Sequence, residues 1–196
     1  MYHFISMNYK KIIFVASVAI VLLAGTAFQL TQKQSFKLVS TSGSVDFKSD
    51  APLEMIEASS QNLKGVIDPA NNRFAFSIPI KSFQGFNSPL QREHFNENYM
   101  ESDKYPTATF EGKIIENIDY SANGLHIIRA KGALTIHGVT QERIIRSELE
   151  VKDGDFHVTS QFTVLLKEHD ISIPKIVNQK IAEEIFVEVK AVFAKK

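Results

Sequence analysis

The chain has 196 residues, 22 basic and 22 acidic side chains, and no cysteine. One domain of this length buries a real core or a modest cavity, and the balanced charge argues against nucleic acid or another polyanion as partner. The absence of thiols excludes disulfides, cysteine catalysis, cysteine metal sites and a lipid-modified cysteine anchor.

The N-terminus reads as an address rather than as fold. Lys10 and Lys11 precede an uncharged apolar stretch at residues 12–28. That is long for the apolar region of a signal peptide and slightly short for a membrane span. Gly25 and Ala27 place small residues where a signal peptidase reads, so we expect a signal peptide over residues 1–27 cleaved after Ala27, with an uncleaved membrane anchor as the alternative. Met7 offers a second start codon with a compact basic leader. Cleavage removes both lysines, taking the net charge from zero to −2. A polar linker at residues 28–34 leads into one domain at residues 35–196.

Behind the linker, apolar residues recur with period two, the signature of strands buried on one face. Phe74, Phe76, Ile78 and Ile80 share one side, as do Ala108, Phe110, Gly112 and Ile114. The same holds for Gly132, Leu134 and Ile136, and for Ile145, Leu149 and Val151. It holds again for Phe156 through Leu166 at every second position, and for Ile185, Val187, Val189 and Phe193. The opposite faces carry Thr109, Glu111, Lys113, Arg146, Glu148 and Lys190, which suit water. Turn residues at 68–72, 121–124 and 152–155 reverse the chain between runs. About eight such strands in a meander, with no helices to cover a parallel sheet, fit an antiparallel barrel or sandwich, and a barrel closes more simply. Two segments interrupt the pattern. Ser88-Pro89-Leu90-Gln91 carries a cap, a first-turn proline and a capping-box glutamine, so a helix is expected from about Pro89 to Tyr99. Residues 173–184 read as a loop with a short helix.

The polar residues assemble into no reaction centre. His94 and Glu97 are three apart on the expected helix and could share a metal, but a site needs a third ligand, and Glu168-His169-Asp170 has no expected partner. A solvated helix face explains His94, Glu97, Glu101 and Asp103 better. There is no nucleophile elbow, zinc-protease pair, phosphate loop or dinucleotide fingerprint. His137 falls on the polar face of its strand, where a hydrogen bond at the strand end explains it. We therefore assign no catalytic residue, no metal and no cofactor.

Two motifs nevertheless carry a resemblance. Arg92-Glu-His-Phe95, the acidic run to Asp103, and Tyr105-Pro-Thr-Ala-Thr-Phe110 form the first, and Gly132-Ala-Leu-Thr-Ile-His-Gly-Val-Thr140 the second. In this order and spacing the chain resembles the YceI-like family, also described as polyisoprenoid-binding, over about residues 36–193. The first strands depart from the family pattern: no Trp is present, and Asp50-Ala-Pro-Leu53 stands where a His is often found. The resemblance implies a lipocalin-like antiparallel barrel, commonly exported to the periplasm, with an apolar channel for an isoprenoid or similar amphiphile. On that reading Phe74, Phe76, Ile78, Phe110, Leu134, Ile136, Phe162 and Val164 line the channel. Phe83, Phe86, Phe95 and Tyr99 form its mouth, and Arg92 either anchors a headgroup or pairs with a neighbouring acid. The partner is then an apolar small molecule, membrane contact runs only through an uncleaved N-terminus, and a homodimer is compatible. The function expected is non-enzymatic carriage or sequestration. The alternatives are a packed structural barrel or a lipid-modifying enzyme, the latter needing an inward acid or His.

Overall fold

The computed structural model describes residues 37–195. The expected signal peptide, its cleavage point after Ala27 and the linker at residues 28–34 lie outside the described residues.

Alternation of apolar and polar side chains turns into nine antiparallel strands: β1 (Leu38–Asp50), β2 (Met55–Ser60), β3 (Lys64–Asp68), β4 (Arg73–Pro79), β5 (Thr107–Ile114), β6 (Gly124–Ile136), β7 (Val139–Lys152), β8 (Asp155–Leu165) and β9 (Glu184–Lys195). Strand β9 returns to pair with β1 from Leu38↔Lys195 to Lys48↔Phe186, so the sheet closes into a barrel. Closure satisfies edges that would otherwise template aggregation.

The nine strands make eight staves. Eight positions along β1, from Leu38 to Val45, match eight along its partners, from Ile67 to Ser60. Strands β2 and β3 are thus one stave in one register, interrupted at residues 61–63, where Leu63 is buried. On its far side β3 pairs with β4 throughout, whereas β2 meets only an isolated bridge, Ser59↔Gln84.

Two glycines let β5 and β6 approach. Gly112 and Gly132 are direct partners, and a Cβ on Gly112 would stand 2.1 Å from the Lys131 carbonyl oxygen. The β6–β7 reversal corrects the sequence reading of His137. It is not a strand residue but the first of a two-residue turn, His137-Gly138, with φ of 52° and 73°. Positive φ at both positions gives the turn twist that a right-handed hairpin needs.

One end of the barrel is a floor. Leu38, Ile67, Leu149, Val151, Phe156 and Phe193 are almost completely buried there. Tyr120, from the β5–β6 connection, stacks on Phe156 at 5.2 Å and donates its hydroxyl to Asn72 Oδ1 at 2.9 Å. Burial, aided by Glu116, pushes the Tyr120 phenol up to about 12. An unfolded tyrosine titrates near 10, so between about pH 10 and 12 the native state keeps a proton that the unfolded chain releases. Stability from this group is complete below pH 10 and falls as pH rises through that window. Alkaline titration followed by phenolate absorbance, beside a Tyr120→Phe control, checks this. The control should remove one late-titrating phenol and flatten the loss.

The other end carries a lid. Helix α1 (Pro89–His94) runs on as a π-helical turn over Phe95–Tyr99, closed by the Met100 N–H on the Phe95 carbonyl at 2.9 Å. The expected span is thus helical throughout, but its second half is wider than an α-helix. Ser88 Oγ accepts the Gln91 N–H at 3.1 Å. The Gln91 side chain accepts from Asn87 N–H, one residue earlier than a standard capping box. Ser88→Ala should cost about 1 kcal/mol of local stability, read as faster amide exchange over residues 89–94 with the barrel strands unchanged. The second expected helix is only a 3-10 turn, Lys175–Val177. Its segment is tied to the barrel rim by Leu53 N–H on the Gln179 carbonyl and Ala182 N–H on Ser49 Oγ, both at 2.9 Å.

Candidate functional site: an apolar cavity under a helical lid

Because every stave turns alternate side chains inward, and the floor is filled while the lid end is not, the barrel encloses a cavity of about 550 Å³. This lies within the range of about 300–1,000 Å³ usual for small-ligand pockets. The cavity is lined by Phe74, Phe76, Ile78, Phe83, Phe86, Phe95, Tyr99, Phe110, Leu134, Ile136, Phe162 and Val164 among others. All twelve aromatic and aliphatic positions singled out from the sequence therefore surround one space.

Their depths differ. Phe74 and Phe110 meet with ring centroids 4.9 Å apart, and Phe76 packs edge-on against Phe193 at 5.5 Å, so these rings sit above the floor. Phe83 is buried and joins Phe47, Phe86 and Phe95 in a cluster beneath the lid. Phe47 and Phe95 stack at 5.4 Å, and Phe86 lies 5.0 Å from Phe95. The lid is thus held down by aromatic contact with β1. Tyr99 packs beside Ile80, Met100 and Ile171 at the lid's far end, and burial raises its phenol above the usual range.

Arg92 stands apart from this space. Its Nη2 donates to the Lys81 carbonyl at 2.9 Å, its Nε is buried without a partner, and it does not line the cavity. The ionisable groups at the mouth are instead Glu54, His94 and Lys180. Glu54 Oε1 accepts from Gln91 Nε2 at 2.9 Å and from Asn87 Nδ2 at 3.3 Å, linking the β1–β2 turn to the lid. Around the same mouth Leu53, Met55, Leu90 and Ile176 are exposed, Ile176 by 91%.

The acidic run beside the lid disperses. Glu101 meets His137 Nε2 at 3.1 Å, Asp103 pairs with Lys81, and His94 stays at the mouth. Among the described residues no cluster of three or more His, Asp or Glu is placed to hold a metal. Glu168 and His169, which had no expected partner, acquire them. Arg143 reaches Glu168 at 3.3 Å, and wholly buried His169 donates from Nδ1 to the Val139 carbonyl at 3.1 Å. These bonds fasten the 3-10 turn Leu166–His169 onto the β6–β7 hairpin.

A family model for the YceI-like domain matches residues 27–193, nearly the whole chain. The chain belongs to the YceI-like family. The fold is shared with a polyisoprenoid binding domain from Saccharophagus degradans implicated in plant cell wall breakdown, at a TM-score of 0.70 and 12% identity, covering 83% of this chain and 100% of that one. Burkholderia cenocepacia BcnA superposes at 0.63 with 15% identity, over 76% and 95% of the two chains. The Campylobacter jejuni YCEI protein gives 0.53 with 20% identity, over 71% and 84%. No curated protein sequence matches the chain.

In this YceI-like barrel several of the lining positions missed from the sequence fall where alternation was diluted. Phe47 and Val45 lie on β1, whose Ser- and Gly-rich start masks its period. Ser147 sits between Ile145 and Leu149, so only the period, and not its polarity, marks it as inward.

Proposed function

We propose that the protein is a non-enzymatic binding protein that takes an apolar amphiphile, of isoprenoid-like kind, into its barrel and carries or sequesters it outside the cytoplasm. The observation that carries this reading is the cavity itself: mainly apolar along its walls, closed at the floor, and ionisable only at the lid end, where Glu54, His94 and Lys180 stand. An amphiphile buries its chain against such walls at roughly 25 cal/mol per Å² and leaves its polar end wet. The described polyisoprenoid-binding relative supports the same class of ligand. A cavity of this volume favours binding over a packed structural barrel. The barrel staves offer the interior serine hydroxyls and no carboxylate or imidazole below the mouth, which favours binding over chemistry. Export rests on the basic start, apolar stretch and small residues of positions 10–27.

Solvent extraction of the purified protein followed by mass spectrometry should recover about one apolar amphiphile per chain. Farnesol or geranylgeraniol should displace a fluorescent apolar dye from the delipidated barrel. An empty extract together with no dye uptake would overturn the proposal. Mass spectrometry of the intact exported protein should give an N-terminus at Phe28, whereas a retained Met1 or Met7 would replace export in free form by anchoring through residues 12–28.

A further inference from the structure

The cavity wall is not uniformly apolar. Ser147 on β7 and Ser160 on β8 are directly paired, both point inward, and both are more than nine-tenths buried. Their hydroxyls meet at 2.6 Å, and neither side chain makes another hydrogen bond. Each serine brings one O–H. A single bond between two hydroxyls uses one proton and leaves the other without a protein partner beside an apolar space, where an unmet donor is costly. The second serine pair of the barrel shows the contrast. Ser60 bonds Ser82, and Ser82 passes its proton to the Pro79 carbonyl, so nothing is left over. Ser49 is also inward, but it lies near the rim and accepts the Ala182 N–H.

Depth makes the Ser147–Ser160 pair specific. Ser160 lies four residues from Phe156 at the floor and four from Val164 towards the lid, about 13 Å of strand either way and less along the tilted barrel axis. Water-facing groups are at the mouth, so this donor meets the middle of a bound chain and not its headgroup.

We propose that the preferred ligand carries a hydrogen-bond-accepting oxygen, of carbonyl or ether type, part-way along its apolar chain, and that the Ser147–Ser160 pair reads it. This rests on the lipid-binding reading above and, among the apolar amphiphiles that reading admits, ranks an internally oxygenated chain above a plain isoprenoid one. The pair selects by penalty as much as by attraction: a plain hydrocarbon leaves the donor unmet, which discriminates more sharply than added apolar contact does.

The test compares two probes in displacement of N-phenyl-naphthylamine: caprylone, an unbranched ketone with its carbonyl at the chain midpoint, and the alkane of the same length. The unaltered protein should bind the ketone about tenfold more tightly. Ser147→Ala and Ser160→Ala should each keep that preference, because the remaining hydroxyl still has a proton to give. The double substitution should abolish it while binding the alkane at least as well, which also shows that the variant is folded. Equal affinity for both probes in the unaltered protein, or the same ketone preference after both hydroxyls are removed, overturns this proposal and leaves the lipid-binding reading standing. Displacement by neither probe sinks both.

Discussion

Phe193→Ala is expected to lower stability by about 3–5 kcal/mol, the usual cost of deleting a buried aromatic ring, and to lower the melting temperature by about 10 °C. Phe193 is fully buried, stands opposite Phe156 in the β8–β9 ladder and closes on Phe76 edge-on. Its loss removes the keystone of the floor, and the space it vacates adjoins the cavity. The variant should therefore be weaker as a fold yet accept longer chains. Urea denaturation measures the first effect and a displacement series of prenols of increasing length the second. Phe193→Leu, which keeps most of the volume, should lose much less and retain the native length limit. A stability loss below 1 kcal/mol in the alanine variant would mean that the floor is packed differently.

The second large effect is expected at Gly112. A methyl group there would fall 2.1 Å from the Lys131 carbonyl oxygen and 2.6 Å from the Gly132 Cα, inside the backbone of the neighbouring strand. No rotamer relieves an overlap with main chain, so β5 and β6 must separate and give up ladder hydrogen bonds. Gly112→Ala should cost about 3 kcal/mol or more, at the upper end of overpacking substitutions, and should show as poor soluble yield or an early thermal transition. Gly154→Ala is the contrasting control. A methyl there meets nothing within 4 Å, and the penalty comes only from its φ of 90°. Equal losses at the two positions would argue that strand approach is not what Gly112 serves.

The parts of this fold that the sequence makes plain are those where burial and period coincide. Phe74, Phe76 and Ile78, or Phe162 and Val164, alternate with polar neighbours without interruption, because each has a barrel interior on one side and water on the other. The cap at Ser88 is equally direct, since a hydroxyl before a proline has one obvious backbone partner. What hides is set by tertiary context. His137-Gly138 carries no common turn dipeptide, and His137 tolerates its left-handed conformation because the Glu101 carboxylate and the His169 carbonyl hold its ring. The split of one stave into β2 and β3 shows only in the shared register with β1, which runs from the Asp50↔Met55 pair beside the turn to the distant Leu38↔Ile67 pair, a span no local window contains. Within the cavity, Phe47 belongs to the lid's aromatic cluster only because the helix folds back across β1. Arg92 sits one residue from lining side chains, yet its guanidinium turns to the Lys81 carbonyl, a choice made by the lid's rotation and not by residue type.

The interrupted stave also determines how the barrel can breathe. Most staves are held by ladders on both sides, and the β1–β9 seam runs almost the length of both strands. Strand β2 has a ladder with β1 alone, and its other flank is fastened to the segment before the lid by the Ser59↔Gln84 bridge, next to Gly85 at a φ of 100°, by the Ser60–Ser82 hydroxyl pair and by the Asn87 side chain on the Met55 carbonyl. Parting that flank breaks few backbone bonds and leaves the circumference below it intact. The entrance is therefore the place where the wall can widen sideways, like a collar held by a few buttons, while the floor and the lower wall keep their register.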